Sequence, residues 1–156
     1  MRLDYLDPII ESAKKVLSDY TGAPVERGSM QLRGDSSSSK EVGAVVGMAG
    51  EVEGRIMLEM SRDTAIGMAG AMNKERFTEL SPFALDTLME LTNVLVAKAV
   101  SELNDRGFTF RLTPPLIFTG NNMKFFGNLN IESLIIPLST SVGELDLNIA
   151  LRMNAL

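Results

Sequence analysis

Apolar residues recur at helical intervals in two long stretches of the chain. Between residues 4 and 20, Leu6, Ile9, Ile10, Ala13, Val16, Leu17 and Tyr20 fall on one face, which predicts an amphipathic helix. Asp7 ahead of Pro8 reads as an N-cap with a first-turn proline, and Thr21-Gly22-Ala23-Pro24 reads as the stop. The second stretch opens at Ser81-Pro82 and runs to Asp105 or Arg106, before Gly107. Its stripe is Leu85, Leu88, Thr92, Leu95, Val96, Ala99 and Leu103. Between the two, Ser61 is a good N-cap for a shorter helix carrying Ala65, Ile66, Met68, Ala69 and Met72.

The other patterns are of β type. Val42 to Met48 and Gly54 to Met60 flank Ala49-Gly50-Glu51-Val52-Glu53, which predicts a hairpin. Phe108 to Leu112, Leu116 to Thr119, Leu129 to Leu138 and Glu144 to Arg152 read as further strands. In the last of these, Leu145, Leu147, Ile149 and Leu151 alternate with Glu144, Asp146, Asn148, Ala150 and Arg152, so one face should be buried and the other wet. Ser29 to Lys40, with the run Ser36 to Ser39, reads as an exposed loop holding a short strand near Met30-Gln31-Leu32. Met57, Met60, Met68, Met72 and Met89 sit inside apolar patterns and read as core filling. The expected fold is α+β, one domain over residues 1–156, with a mainly antiparallel sheet packed against two long helices plus a short helix. The long final strand and its predecessor offer a subunit edge through which a homodimer would pair.

Composition narrows the chemistry. The 156 residues are 45% apolar, enough chain for one core. Net charge is −5, from 15 basic and 20 acidic residues, and without a Lys/Arg run the footprint of a nucleic-acid binder is missing. Having no cysteine, the chain has no disulfide, thiol nucleophile or cysteine metal site; having no histidine, it lacks the commonest zinc ligand and general base. Neither a G-x-x-x-x-G-K-S/T nor a G-x-G-x-x-G element occurs, so the usual backbone cradle for a nucleotide is absent. Met1 to Pro8 is broken by polar residues where a signal peptide needs an apolar core, and no run approaches membrane-spanning length. A cytoplasmic protein without membrane insertion is expected.

What remains is the polar face of the second long helix. At about 100° per residue, Glu90 and Asn93 project roughly 140° from the centre of the apolar stripe, together with Asp86, Ala97, Ser101 and Asn104. A Glu-x-x-Asn pair on a wet helical face is ordinary in itself. Asn is a mediocre mid-helix residue, because its amide competes with the backbone, and small Ala97 leaves room beside it. The full spacing is more specific: an acid or Ser, three residues, Glu, two residues, Asn, twenty-one residues, Pro, met here at Asp86, Glu90, Asn93 and Pro115.

This pattern resembles the signature of the CheC/CheX/FliY family, and its CheX-like branch in particular. The resemblance covers nearly the whole chain: its length, the leading helix, the strand pair with Gly47 to Gly54, the motif helix and the Thr113-Pro114-Pro115 turn. It implies a CheC-like fold and a dimeric chemotaxis phosphatase that hydrolyses the aspartyl phosphate of a CheY-like response regulator. Glu90 and Asn93 are then the catalytic pair, Asn93 orienting the attacking water and Glu90 docking to the regulator's active-site lysine. Asp86 either extends that anionic ridge or favours the helix N-terminus through the macrodipole, and Pro115 shapes the turn that abuts the motif helix. No cofactor or metal is expected on this chain; a divalent cation, Mg2+, is expected in the partner's pocket. Asp7, Glu11 and Lys14 repeat the spacing on the first helix, but lysine stands where asparagine belongs, so that copy should be inert. The alternative is a non-catalytic adaptor or flagellar-switch binding module for a response regulator, since related modules occur in flagellar switch proteins.

Overall fold

The computed structural model describes residues 3–34, 37–38, 40–124 and 132–153. Helix α1 (Leu3–Thr21) leads into the short strands β1 (Glu26–Arg27), β2 (Gln31–Arg33) and β3 (Ser37–Ser38), then into the hairpin β4 (Val42–Gly50) and β5 (Val52–Met60). Helices α2 (Arg62–Asn73) and α3 (Pro82–Asp105) follow. The chain continues through β6 (Phe110–Leu112), β7 (Leu116–Thr119), β8 (Met123–Lys124), β9 (Ser133–Thr140) and β10 (Gly143–Met153). Among the described residues every strand pair is antiparallel, and the main eight-stranded sheet has the order β1-β9-β10-β5-β4-β6, with β2 also on β9 and β7 also on β4. The fold is therefore α+β, with two long helices, one shorter helix and an antiparallel sheet.

The three helices share one side of that sheet. Val42, Val46 and Met48 of β4, Ile56, Leu58 and Met60 of β5, and Leu145, Leu147, Ile149 and Leu151 of β10 join one core with the apolar faces of α1 and α3. The expected core methionines Met57, Met60 and Met68 are buried, with Met72 and Met89 partly so. The expected hairpin forms, from Val42 opposite Met60 to Met48 opposite Gly54, but its strands extend to Gly50 and from Val52 into the expected connection, leaving Glu51 at the turn. Gly54 has φ +141°, and a Cβ there would collide with the carbonyl oxygen of Ala150 on the neighbouring strand. Only glycine permits that approach.

Several expectations are corrected. Pro8 lies inside α1 rather than at its start, so Asp7 is not the N-cap. The helix begins earlier because Tyr5 and Leu6 are buried, Tyr5 meeting Phe108 edge-on at 6.3 Å. Burying two such side chains contributes about 1.5–3 kcal/mol each, which offsets the ~3 kcal/mol cost of an interior proline. Within the serine run, Ser37 and Ser38 form a strand paired with Met123 and Lys124; Ser36 and Ser39 lie outside the described residues. The expected strand from Leu129 is described from Ser133, its first residues lying outside the described part.

The last two strands are not edges. β10 is flanked by β9 and β5, and the other side of β9 is occupied by β1 and β2, so neither offers the subunit edge expected of it. Both actual edges carry a bulge. Leu112 stands opposite Met48 and Leu116 opposite Val45, so three residues on the edge face two on β4, and Pro114-Pro115 supply the excess. Thr113 still bonds across, its N–H to the Gly47 carbonyl at 3.0 Å and its Oγ1 accepting from the Gly47 N–H at 2.8 Å. The expected turn at Thr113-Pro114-Pro115 is thus a proline bulge in an edge strand, which suits residues without an N–H to offer the ladder. At the opposite edge Arg27 faces Leu138 and Gln31 faces Ile135, again three residues against two.

The middle of the far face of the sheet is also buried, so Asn148 and Ala150 on β10, with Met57 and Glu59 on β5, are buried rather than wet. Glu59 of β5 lies there with none of its side chain accessible, 3.7 Å from the Arg33 guanidinium, and accepts from Asn148 Nδ2 at 3.2 Å. Arg55 donates to Ser133 Oγ at 3.3 Å. Burial holds the Arg55 guanidinium below its ordinary pKa, and the Glu59 charge opposes that shift. Alternation predicts water on this face only if nothing covers it; here the buried polar residues contact one another, while Glu59 Oε1 and Asn148 Oδ1 accept no hydrogen bond among the described residues. Because a buried carboxylate and its cations depend on each other, Glu59→Ala should destabilise the fold by about 3–5 kcal/mol. Denaturant unfolding of the variant beside the parent checks this.

Candidate functional site

Helix α3 is held at both ends by its own sequence. Ser81 is the N-cap, its Oγ accepting from the Ala84 N–H at 3.2 Å, and Pro82 occupies the first turn, where no partner for its nitrogen is needed. At the other end Gly107, at φ +94°, donates to the Asn104 carbonyl and Phe108 donates to that of Leu103, each at 3.0 Å. This is a Schellman ending, which satisfies two otherwise orphaned carbonyls.

Ala84, Thr87, Leu88, Leu91, Thr92, Leu95, Val96, Ala99, Val100 and Leu103 are buried against α1, α2 and the sheet. Two polar members of that face are internally satisfied. Thr92 Oγ1 donates to the Leu88 carbonyl at 3.0 Å; Thr87 Oγ1 donates to the Phe83 carbonyl at 3.0 Å and accepts from Asn73 Nδ2 at 3.0 Å, tying the end of α2 to α3.

The opposite line is outward. Asp86, Glu90, Asn93, Ala97, Ser101 and Asn104 are all exposed, as the helical wheel predicts. Glu90 and Asn93 project from adjacent turns of one face. Asp86 is the fifth residue of the helix, past its first turn, where the macrodipole has little left to offer. It belongs with the exposed ridge.

Pro115 is brought to the bulge of the edge strand, whose continuation β7 packs against α3. On α1, Lys14 lies 3.9 Å from the Glu11 carboxylate, so the residue standing where the motif has asparagine faces its own neighbour. Sequence reading passed over Phe83. It lies seven residues before Glu90, about 20° from it around the helix, and is exposed on the motif face. The signal was a large aromatic at an unburied wheel position.

Grooves of about 570 Å³ beside α2, about 200 Å³ around Glu41 and Arg62, and about 150 Å³ between Val45 and Phe118 are lined by other residues. Among the described residues no group of three or more acidic side chains is placed to hold a metal ion. An acid and a neutral amide on the convex side of a helix cannot enclose a small substrate, but they can enter a pocket that another macromolecule supplies.

The family described as chemotaxis phosphatase CheX matches residues 42–139, and the chain belongs to that family. CheY-P phosphatase CheX of Thermotoga maritima is 24% identical over 151 residues, spanning 94% of this chain and 95% of that protein. The fold matches a chain of the CheX-CheY-BeF3-Mg2+ complex from Borrelia burgdorferi with TM-score 0.82 and 34% identity, covering 97% of this chain and 99% of that one. A CheC-like superfamily protein from Shewanella sp. PV-4 superposes with TM-score 0.86 at 22% identity, covering 97% and 99%.

The Ser81 cap sets where α3 begins. Ser81→Ala should lower stability by about 1 kcal/mol. A thermal melt read by circular dichroism, compared with the parent, measures it.

Proposed function

We propose that this chain, working as one domain over residues 1–156, is a phosphatase that hydrolyses the aspartyl phosphate of a CheY-like response regulator. The observation that carries the reading is the pairing of exposed Glu90 and Asn93 on the outward face of α3, in a chain of the CheX family. The relative from Borrelia burgdorferi forms a complex with CheY, which supports a partner of the same kind here.

An aspartyl phosphate is a reactive acyl phosphate, and phosphoryl transfer passes through a loose, in-line transition state. Positioning one water is then most of the catalytic task. Asn93 enters the regulator's pocket, and its side-chain carbonyl accepts a hydrogen bond from the attacking water. The water oxygen bonds to phosphorus as the bond from phosphorus to the aspartyl oxygen breaks. The carboxylate leaves with that electron pair, and the water's proton ends on the released phosphate. A neutral amide suits this role because it orients without needing to ionise.

Glu90, one turn earlier, pairs with the regulator's active-site lysine, and this contact sets the register of Asn93. Asp86 extends the anionic ridge. The divalent cation, Mg2+, belongs to the regulator's pocket, where it neutralises phosphoryl charge. The protein acts in the cytoplasm, where its substrate resides, and as a homodimer. No helix among the described residues is long and apolar enough to cross a membrane.

Asn93→Ala should abolish accelerated phosphate release from a phosphorylated CheY-like regulator while leaving thermal stability and regulator binding near parental. Undiminished release by that variant would refute the mechanism. Binding of the regulator without any acceleration by the parent protein would favour the non-catalytic adaptor instead. Glu90→Ala should weaken association by about 1–3 kcal/mol, read by calorimetry or as a raised KM.

A further inference from the structure

Among the described residues six large apolar side chains are exposed, and five of them, Met30, Leu32, Leu112, Leu116 and Met153, lie on or beside strands of the sheet. The sixth, Phe83, is 56% exposed on α3, on the same face as Glu90 and Asn93. Its ring is not loose. Phe77, from the segment joining α2 to α3, meets it edge-on, with centroids 5.8 Å apart and planes at 66°. Its carbonyl accepts from Thr87 Oγ1, which in turn is held by Asn73 of α2. An exposed aromatic fixed at both ring and backbone loses little freedom when something covers it.

We infer that Phe83, braced by Phe77, is an apolar anchor for the phosphorylated regulator, received by an apolar side chain beside the regulator's phosphoryl pocket. This deepens the function proposed above and rests on it. The reason is geometric. Seven helical residues separate Phe83 from Glu90, about 10 Å along the axis. A stable protein interface takes roughly 800 Å² from each partner, a patch about 16 Å in radius. A regulator centred on Glu90 and Asn93 therefore reaches Phe83.

The chemistry makes that contact matter. The rest of the outward line is Asp86, Ala97, Ser101 and Asn104, small or polar side chains that contribute little to affinity from an exposed helix. Aromatic anchors at interfaces carry a disproportionate share. Phe83 thus supplies attraction that is independent of the phosphoryl group, while Glu90 and Asn93 supply register and chemistry. Phe83 is a positioning residue, since the reacting atoms lie two turns away.

The test follows phosphate release at increasing concentrations of phosphorylated regulator. Phe83→Ala should raise KM by about 10- to 30-fold with kcat within about twofold of the parent, and Phe83→Leu should recover most of the loss. An unchanged KM in Phe83→Ala overturns the inference. So does a raised KM accompanied by a change in the protein's own oligomeric mass by light scattering, which would assign the ring to self-association. The reading beneath it fails separately, through full activity of Asn93→Ala. An inactive Asn93→Ala beside an unaffected Phe83→Ala removes the anchor alone.

Discussion

The contact between the buried side of α3 and the layer beneath it governs the rest of the molecule. Ten of its residues, from Ala84 to Leu103, are buried, leaving a narrow outward line. The helix cannot turn by one residue, about 100°, without driving the Glu90 carboxylate and the Asn93 amide toward the core and bringing leucines into water. The direction of the pair is thus enforced by hydrophobic burial on the opposite side of the same helix. The N-cap at Ser81 and the glycine ending at Gly107 fix where that rigid segment starts and stops.

A rigid, outward-facing pair suits chemistry divided between two proteins. The chain has no cysteine or histidine, and its candidate residues stand on an exposed helix face open to water. Under the function proposed above, the pair completes a site whose electrophile, charge neutralisation and walls the regulator supplies, and for that an acid to grip and an amide to orient suffice. The protruding geometry and the economy of functional groups have the same origin.

The sheet solves a different problem. With helices on one face and the middle of the far face also buried, the sheet carries polar residues that need partners, and Glu59, Arg33, Arg55, Ser133 and Asn148 contact one another across β2, β5, β9 and β10. At its margins both edge strands bulge, one at the Pro114-Pro115 pair, and bulges twist an edge away from foreign strands. Pro115, part of the motif spacing, therefore acts on the sheet beside α3 rather than at the site.

Local patterns determined much of this. The amphipathic stripes of α1 and α3, the caps at Ser61 and Ser81, the stops at Gly22 and Gly107, the hairpin and the outward line holding Glu90 and Asn93 depend on residues a few positions apart, so periodicity and capping chemistry suffice to find them. What depended on distant partners was decided only in three dimensions. Pro8 sits inside a helix because Tyr5 and Leu6 find a core to fill, the buried Asn148 amide finds its acceptor in Glu59 of the neighbouring strand, and the proline pair is bridged because the Gly47 carbonyl accepts from the Thr113 N–H. Phe83 stands on the face of Glu90 and Asn93, held by Phe77 from the segment that follows α2. A sequence records which residues favour burial, but not which neighbour will be there, since a contact across many tens of residues leaves no trace in local spacing.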